Sequence, residues 1–107
     1  MILLINNFIN GEFVKPYSND YLTNLNPATG RETAKIPNSN SDDVEMAVNA
    51  ARNALPKWRE LDIKIRIEWL RKIASALESK KEYIANIESM DTGKPINLAR
   101  RVDATRS

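Results

Sequence analysis

The hydrophobic pattern of this sequence changes its period once, close to Ser41. Before that point, short apolar runs alternate with turn residues, which is typical of β-strands. After it, apolar residues recur every three or four positions, which is typical of amphipathic helices. The order predicts strands and turns over residues 1–38 and helices over residues 41–107. Because apolar helix faces need a sheet to cover, we expect part of an α/β domain whose main sheet lies in further, downstream sequence.

The first segment predicts a hairpin and two further strands. The dipeptide Asn10-Gly11 stands between two apolar runs and favours the positive φ angles of a tight hairpin turn. Pro27 and Gly30 predict a second turn, because proline presets φ and glycine accepts a left-handed conformation. The predicted strand segments are the hairpin Phe8–Val14, then Tyr21–Leu25 and Glu32–Ile36.

The first helix is predicted to begin at Ser41, which can act as its cap, with Asp42 and Asp43 at the positive end of the helix dipole. Pro56 is expected to end this helix or to force a turn near Trp58. The apolar face of the helix is predicted to contain Val44, Ala47, Val48, Ala51 and Leu55.

Two more helical segments follow. Asp62 is expected to cap the second helix, with a bend near Ser79–Lys81. Gly93 followed by Pro95 predicts a helix end, and a last helical stretch is expected to begin near Pro95. The apolar stripe of the second helix is predicted to contain Ile63, Ile67, Leu70, Ala74 and Leu77.

Composition excludes several kinds of chemistry. The chain contains no Cys and no His, which excludes a Cys nucleophile, a His general base, the usual zinc sites and disulfides. Its net charge of +2 is too balanced to favour a nucleic-acid partner. The apolar run at the start ends before Asn6, which is too short for a signal peptide or a membrane span. We therefore expect a cytoplasmic protein with no membrane partner.

The glycines do not form a nucleotide-binding loop. Thr92-Gly93-Lys94 is similar to part of a phosphate-binding loop, but Glu88 and Pro95 stand where that motif needs Gly and Ser or Thr. The remaining glycines are Gly11 and Gly30, so no dinucleotide fingerprint is present in this sequence. A helix end is the better interpretation of Gly93.

Three stretches, taken in order, resemble the amino-terminal region of NAD(P)-dependent aldehyde dehydrogenases. Residues 43–52 and 63–77 are similar to the first two helices of that family, so the resemblance covers essentially the whole chain. Each motif alone is weak evidence for the family, but the order and spacing that they share are specific to it. The stretches are Phe8-Ile9-Asn10-Gly11-Glu12-Phe13, Asn26-Pro27-Ala28-Thr29-Gly30 and Met90-Asp91-Thr92-Gly93-Lys94-Pro95.

This resemblance implies that residues 1–107 supply peripheral strands and helices of an incomplete Rossmann-type NAD-binding domain. The family's full enzyme oxidises a small aldehyde to a carboxylic acid with NAD(P), using a Cys thiolate and a Glu base, and is expected to be a homo-oligomer. Neither group has a matching position here, so we expect no catalytic and no cofactor-binding residue in this chain. Its expected partner is the remainder of the enzyme, and alone it is predicted to be inactive.

The resemblance also implies one metal site. Some members of the family hold a monovalent cation between the strand before Asn-Pro and the aspartate of the Asp-Thr-Gly-Lys stretch. The matching positions here are Asn24, Leu25 and Asp91. Backbone carbonyls and a carboxylate are oxygen ligands of the kind that hard cations prefer. A further ligand would come from other sequence, so this site is expected to be incomplete.

The sequence departs from the family near its end, where Ala104-Thr105 stands in place of the Ile-Pro pair that the family tends to have. The chain ends shortly afterwards, which suggests a segment of a longer protein or a short product. The alternative hypothesis is a stand-alone helical interaction module, or a short isoform that docks on full-length subunits. A weak nucleic-acid binder is supported only by the pI near 9.0.

Overall fold

The structure, a computed structural model, describes residues 2–106 and contains five short strands followed by helices. The strands are β1 (Leu3–Leu4), β2 (Asn7–Ile9), β3 (Glu12–Val14), β4 (Tyr21–Leu25) and β5 (Glu32–Pro37). The helices are α1 (Ser41–Glu60), α2 (Ile63–Ser79), α3 (Lys81–Thr92), α4 (Ile96–Leu98), a π-helical turn (Ala99–Asp103) and α5 (Ala104–Arg106). The predicted order of strands before helices is confirmed.

The chain divides into two compact units. The strand unit contains the residues up to Asn24 together with Glu32–Leu61. The helical unit contains Leu25–Arg31 together with the residues from Asp62 onward. The boundary after Leu61 falls between α1 and α2, where the helical pattern is interrupted.

The strand unit contains two small sheets. In the first, the strand order is β1-β5-β4, and β1 runs parallel to β5 with Leu3 opposite Ala34. The second is the antiparallel hairpin of β2 and β3. Asn10 (φ 54°) and Gly11 (φ 83°) both have positive φ, which confirms the predicted hairpin turn. Strand β1 was not predicted, because two residues are too few to show a period.

The cap of α1 is Asn40, and the expectation that Ser41 caps the helix is wrong. The Asn40 side chain accepts hydrogen bonds from the backbone N–H groups of Asp42 (2.9 Å) and Asp43 (3.2 Å). Asp43 Oδ2 in turn accepts the N–H of Asn40 at 2.9 Å, which completes a capping box. Ser41 is already the first helical residue, so it lies one position too late to cap.

The prediction that Pro56 ends α1 or forces a turn is also wrong, since the helix continues through Pro56 to Glu60. A proline inside a helix removes one backbone donor and crowds the carbonyl four residues earlier, at a cost of about 3 kcal/mol. Pro56 stands near the end of a long helix, where one lost bond is offset by the many bonds on its amino-terminal side.

In the helical unit, the ends of the helices agree with the sequence. Asp62 Oδ1 accepts the N–H of Lys64 at 2.7 Å, so Asp62 caps α2 as predicted. The predicted bend falls at Lys80, between α2 and α3. Gly93 adopts a left-handed conformation (φ 74°) and donates its N–H to the carbonyl of Ser89 at 3.0 Å. This geometry confirms the helix end at Gly93.

The last helical stretch begins after Pro95 as predicted, but it includes a π-helical turn that the sequence did not predict. The helical unit is centred on three buried alanines, Ala85, Ala99 and Ala104, with Ile84 and Ile96 packed against them. Small side chains let the π-helical turn approach α3 closely, and this contact forms the compact part of the unit.

The apolar faces of the two long helices remain exposed. Val44 and Leu55 on α1 are 59% and 47% exposed, and Ile63 and Leu70 on α2 are 62% and 59% exposed. This agrees with the expectation that these faces need a larger sheet than the chain supplies. Within residues 2–106, no helix is long and apolar enough to cross a membrane.

Candidate functional site

The candidate site was predicted at Asn24, Leu25 and Asp91. Asn24 lies in β4 and is half-buried in the strand unit. Its backbone carbonyl accepts a hydrogen bond from Thr33 Oγ1 at 3.2 Å, and its side-chain amide donates to the same oxygen at 3.2 Å. Asn24 therefore ties β4 to Thr33 of β5.

The second predicted ligand, Leu25, is the last residue of β4 and leads into the turn at Asn26. Asn26 organises this turn. Its carbonyl accepts the N–H of Gly30 at 2.8 Å, and its side-chain oxygen accepts the N–H of Ala28 at 2.9 Å. The N–H of Asn26 donates to the carbonyl of Arg31 at 2.9 Å, which closes the turn. The turn predicted at Asn26–Gly30 is therefore confirmed.

The third predicted ligand, Asp91, is exposed and is the second-to-last residue of α3. Two residues further on, Gly93 lies against the turn after β4. A Cβ placed on Gly93 would come within 2.9 Å of Pro27 Cγ, which is closer than side chains approach one another. The helical unit thus brings the chain just after Leu25 against the chain just after Asp91. Gly93 allows this approach because it has no side chain and accepts positive φ.

Lys94 follows Gly93 and joins two carboxylates. Its ammonium donates to Asp103 Oδ2 at 2.7 Å and to Glu88 Oε1 at 3.3 Å. The hydrogen bond with Asp103, followed by the one with Glu88, raises the pKa of Lys94 against the opposing effect of desolvation. The amine therefore stays charged at neutral pH. Lys94 ties the end of α3 to the π-helical turn, which the sequence did not show.

A second ion pair links the same two elements. Arg100, in the π-helical turn, donates through Nε to both carboxylate oxygens of Glu82, at 2.9 and 3.0 Å. This hydrogen bonding lowers the pKa of Glu82 and raises that of Arg100. Both groups are exposed, so the pair fixes geometry more than it adds stability.

The strand unit contains a polar residue whose importance the sequence indicated only in part. Asp43 is 2% exposed, and its Oδ1 accepts the backbone N–H of Tyr17 at 2.9 Å and Asn7 Nδ2 at 3.4 Å. Its Oδ2 belongs to the capping box of α1. The spacing of Asn40 and Asp43 could have predicted the capping box, but the contacts with Tyr17 and Asn7 depend on the fold.

The geometry does not support a transition-metal site. Among residues 2–106, no three His, Cys, Asp or Glu side chains come together as such a metal requires. The predicted ligands, two carbonyls and one carboxylate, belong to a different class that suits a hard cation.

The fold defines the class of protein. The structure resembles the NAD⁺ complex of an aldehyde dehydrogenase from Bacillus cereus with a TM-score of 0.90 and 34% identity, covering 94% of this chain and 21% of that one. It also resembles an NAD-dependent aldehyde dehydrogenase from Sinorhizobium meliloti with a TM-score of 0.87 and 29% identity, covering 94% of this chain and 20% of that one. The architecture is therefore α/β and forms part of the aldehyde dehydrogenase fold.

The sequence profile of the aldehyde dehydrogenase family matches residues 13–107, so this chain belongs to that family. The chain is 40% identical over 106 residues to the 2-aminomuconic semialdehyde dehydrogenase of Mus musculus, covering 99% of this chain. It spans about a fifth of the length of that relative. The amino-acid sequence of residues 7–11, 36–39 and 98–100 by itself indicates a similarity to this group of relatives.

Proposed function

We propose that this chain is the amino-terminal segment of an NAD(P)-dependent aldehyde dehydrogenase and has no activity alone. The observation that supports this most strongly is the coverage, since 94% of the chain superposes on only 21% of the Bacillus cereus enzyme. The exposed faces of α1 and α2 support it as well, because a larger sheet would bury them.

The proposed reaction is oxidation of a small aldehyde to a carboxylic acid. The family's chemistry needs a thiolate nucleophile, and the sequence contains no Cys. This segment would therefore serve the reaction by completing the NAD-binding domain, with NAD(P) held by the remainder of the chain. The resemblance further suggests a homo-oligomer, and a cytoplasmic location stays a prediction from the sequence.

The activity test uses a chimaera in which this chain replaces the matched segment of the mouse relative. We expect NAD reduction by the chimaera with an aldehyde substrate, and none by this chain or by the truncated relative alone. The physical reason is that the nucleophile and the covering segment are needed in one folded domain. The measurement is NADH absorbance, with the intact relative as the positive control.

Aldehyde-dependent NAD reduction by the chain alone would contradict the proposal, and so would a folded but inactive chimaera. The alternative, a module that docks on full-length subunits, predicts a different result. In that case the chain would bind the intact relative, whose own segment is in place, as tightly as it binds the truncated one.

We further propose that Asn24, Leu25 and Asp91 contribute ligands to a monovalent-cation site in the complete domain. A carboxylate near the carboxyl end of a helix lies beside partial negative charges, which disfavours it by a few tenths to about 1 kcal/mol unless a positive charge is near. The contact of Gly93 with Pro27 supports the proposal, because it holds the chain beyond Leu25 against the end of α3.

The cation test measures thermal melts of the chimaera in potassium chloride and in a large organic cation at equal ionic strength. We expect potassium to stabilise the unmodified chimaera and Asp91→Ala to lose that stabilisation while keeping activity. Glu88→Gln is the matched control, since it removes another α3 carboxylate but leaves Asp91 in place. A potassium effect that is absent, or retained in full by Asp91→Ala, would show that the proposed role of Asp91 is wrong.

A further inference from the structure

Asn10 and Gly11 form the tip of the β2–β3 hairpin. Asn10 and Gly11 are both exposed. Ile9 pairs with Glu12 across the turn, so the amide of Gly11 lies outside the hairpin's ladder of strand pairs. A Cβ placed on Gly11 would have no atom within 4 Å. The backbone between these two residues therefore has space on its outer side.

This arrangement favours a known reaction of asparagine. The backbone nitrogen of the following residue attacks the side-chain amide carbon, and a side chain on that residue hinders the attack. Glycine offers the least hindrance and the widest range of backbone angles. Asn10 is the one asparagine in the sequence that precedes a glycine.

We propose that Asn10 is a site of spontaneous modification, at which Asn10-Gly11 forms a succinimide that opens to isoaspartate. In the first step, a bond forms between the Gly11 nitrogen and Asn10 Cγ while the bond from Cγ to Nδ2 breaks. Ammonia leaves and takes up the proton from the Gly11 amide. Water then hydrolyses either ring carbonyl, which gives aspartate or isoaspartate. No oxidant or cofactor takes part.

Isoaspartate would disrupt the hairpin for a geometric reason. It adds one methylene to the backbone at a two-residue turn whose geometry requires positive φ at both positions. The pairing of Phe8 with Phe13, whose ring centres are 5.0 Å apart, depends on the register that this turn sets. Ile9, which is only 8% exposed, would lose its position in the same change.

The chain contains its own control for conformation. Asn19 is also exposed and also has positive φ (53°), but Asp20 follows it. Asn19 therefore matches Asn10 in exposure and in the sign of φ but differs in the residue that follows, whose N–H donates to Ser18 Oγ at 3.3 Å. Asn26 is a second control, because Pro27 has no amide proton and cannot start the same reaction.

The experiment ages the purified chimaera, in which this segment is part of a complete domain, at physiological temperature and mildly alkaline pH. Peptide mapping locates each conversion of an amide to an acid, and an isoaspartate methyltransferase labels the isoaspartate. We expect Asn10 to convert several-fold faster than Asn19, to slow several-fold in Gly11→Ala, and to give no signal in Asn10→Gln. Ageing should also lower the thermal midpoint of the chimaera.

Equal rates at Asn10 and Asn19 would overturn the proposal. An unchanged rate in Gly11→Ala would overturn it as well, and so would methyltransferase labelling of the peptide around position 10 that persists in Asn10→Gln. If Asn10 converts but the midpoint of the aged chimaera stays the same, the proposed loss of the hairpin is wrong.

Discussion

Leu70→Ala should destabilise the chimaera by about 2–5 kcal/mol and leave the isolated chain nearly unchanged. Leu70 lies on the apolar face of α2 and is 59% exposed in the chain itself. A side chain that is already in contact with water loses little when it is shortened. In the complete domain the same side chain is expected to be buried, where truncation removes its burial and leaves a cavity.

The same argument predicts a broad, weakly cooperative melt for the isolated chain. Full burial of an aliphatic side chain contributes about 1.5–3 kcal/mol, against a typical total stability of about 5–15 kcal/mol. Several such burials are missing on α1 and α2, so the free energy of unfolding of the isolated chain should fall close to zero. Circular dichroism should show helices without a sharp transition.

The effect of Leu70→Ala and the melt of the isolated chain test the same argument. A sharp two-state melt of the isolated chain as a monomer would contradict the argument and would favour the stand-alone module. If Leu70→Ala lowers the free energy of unfolding of the isolated chain as much as that of the chimaera, Leu70 is buried without the remainder of the enzyme.

Asp43→Ala is expected to destabilise the chimaera by about 2–4 kcal/mol, because a hydrogen bond to a charged group contributes about 1.5–3 kcal/mol and a helix cap about 0.5–2 kcal/mol. Asp43 is buried, and its carboxylate accepts the backbone N–H groups of Tyr17 and Asn40. Its removal leaves both donors without this acceptor. Urea denaturation of the chimaera measures the difference in the free energy of unfolding.

Asp42→Ala is the matched control for this variant. Asp42 is the neighbouring residue in the first turn of α1 and is exposed. It interacts with the same helix dipole, so its removal should cost only about 0.3–1 kcal/mol. Equal losses in the two variants would mean that the dipole, rather than the buried hydrogen bonds of Asp43, accounts for the effect.

The sequence by itself determined the features that depend on a few neighbouring residues. Asn10-Gly11 specified a two-residue hairpin turn, because both residues accept positive φ. Asp62 specified the start of α2 through its own hydrogen bond with Lys64. Gly93 specified the end of α3. Leu25 is the last residue of β4 and Asp91 lies near the end of α3, and their role as cation ligands stays a proposal.

The tertiary structure alone decided the features that depend on contacts between distant residues or on competition between local alternatives. Asn40 and Ser41 are both good caps, and Asn40 holds that position in a structure where Asp43 also meets Tyr17 and Asn7. Local rules place a helix end at Pro56, whereas the whole of α1 tolerates one missing hydrogen bond. Residues far apart in sequence stabilise one another only after the fold has brought them into contact, so no local sequence pattern shows this stabilisation. An example is Lys94, which pairs with both Glu88 in α3 and Asp103 in the π-helical turn.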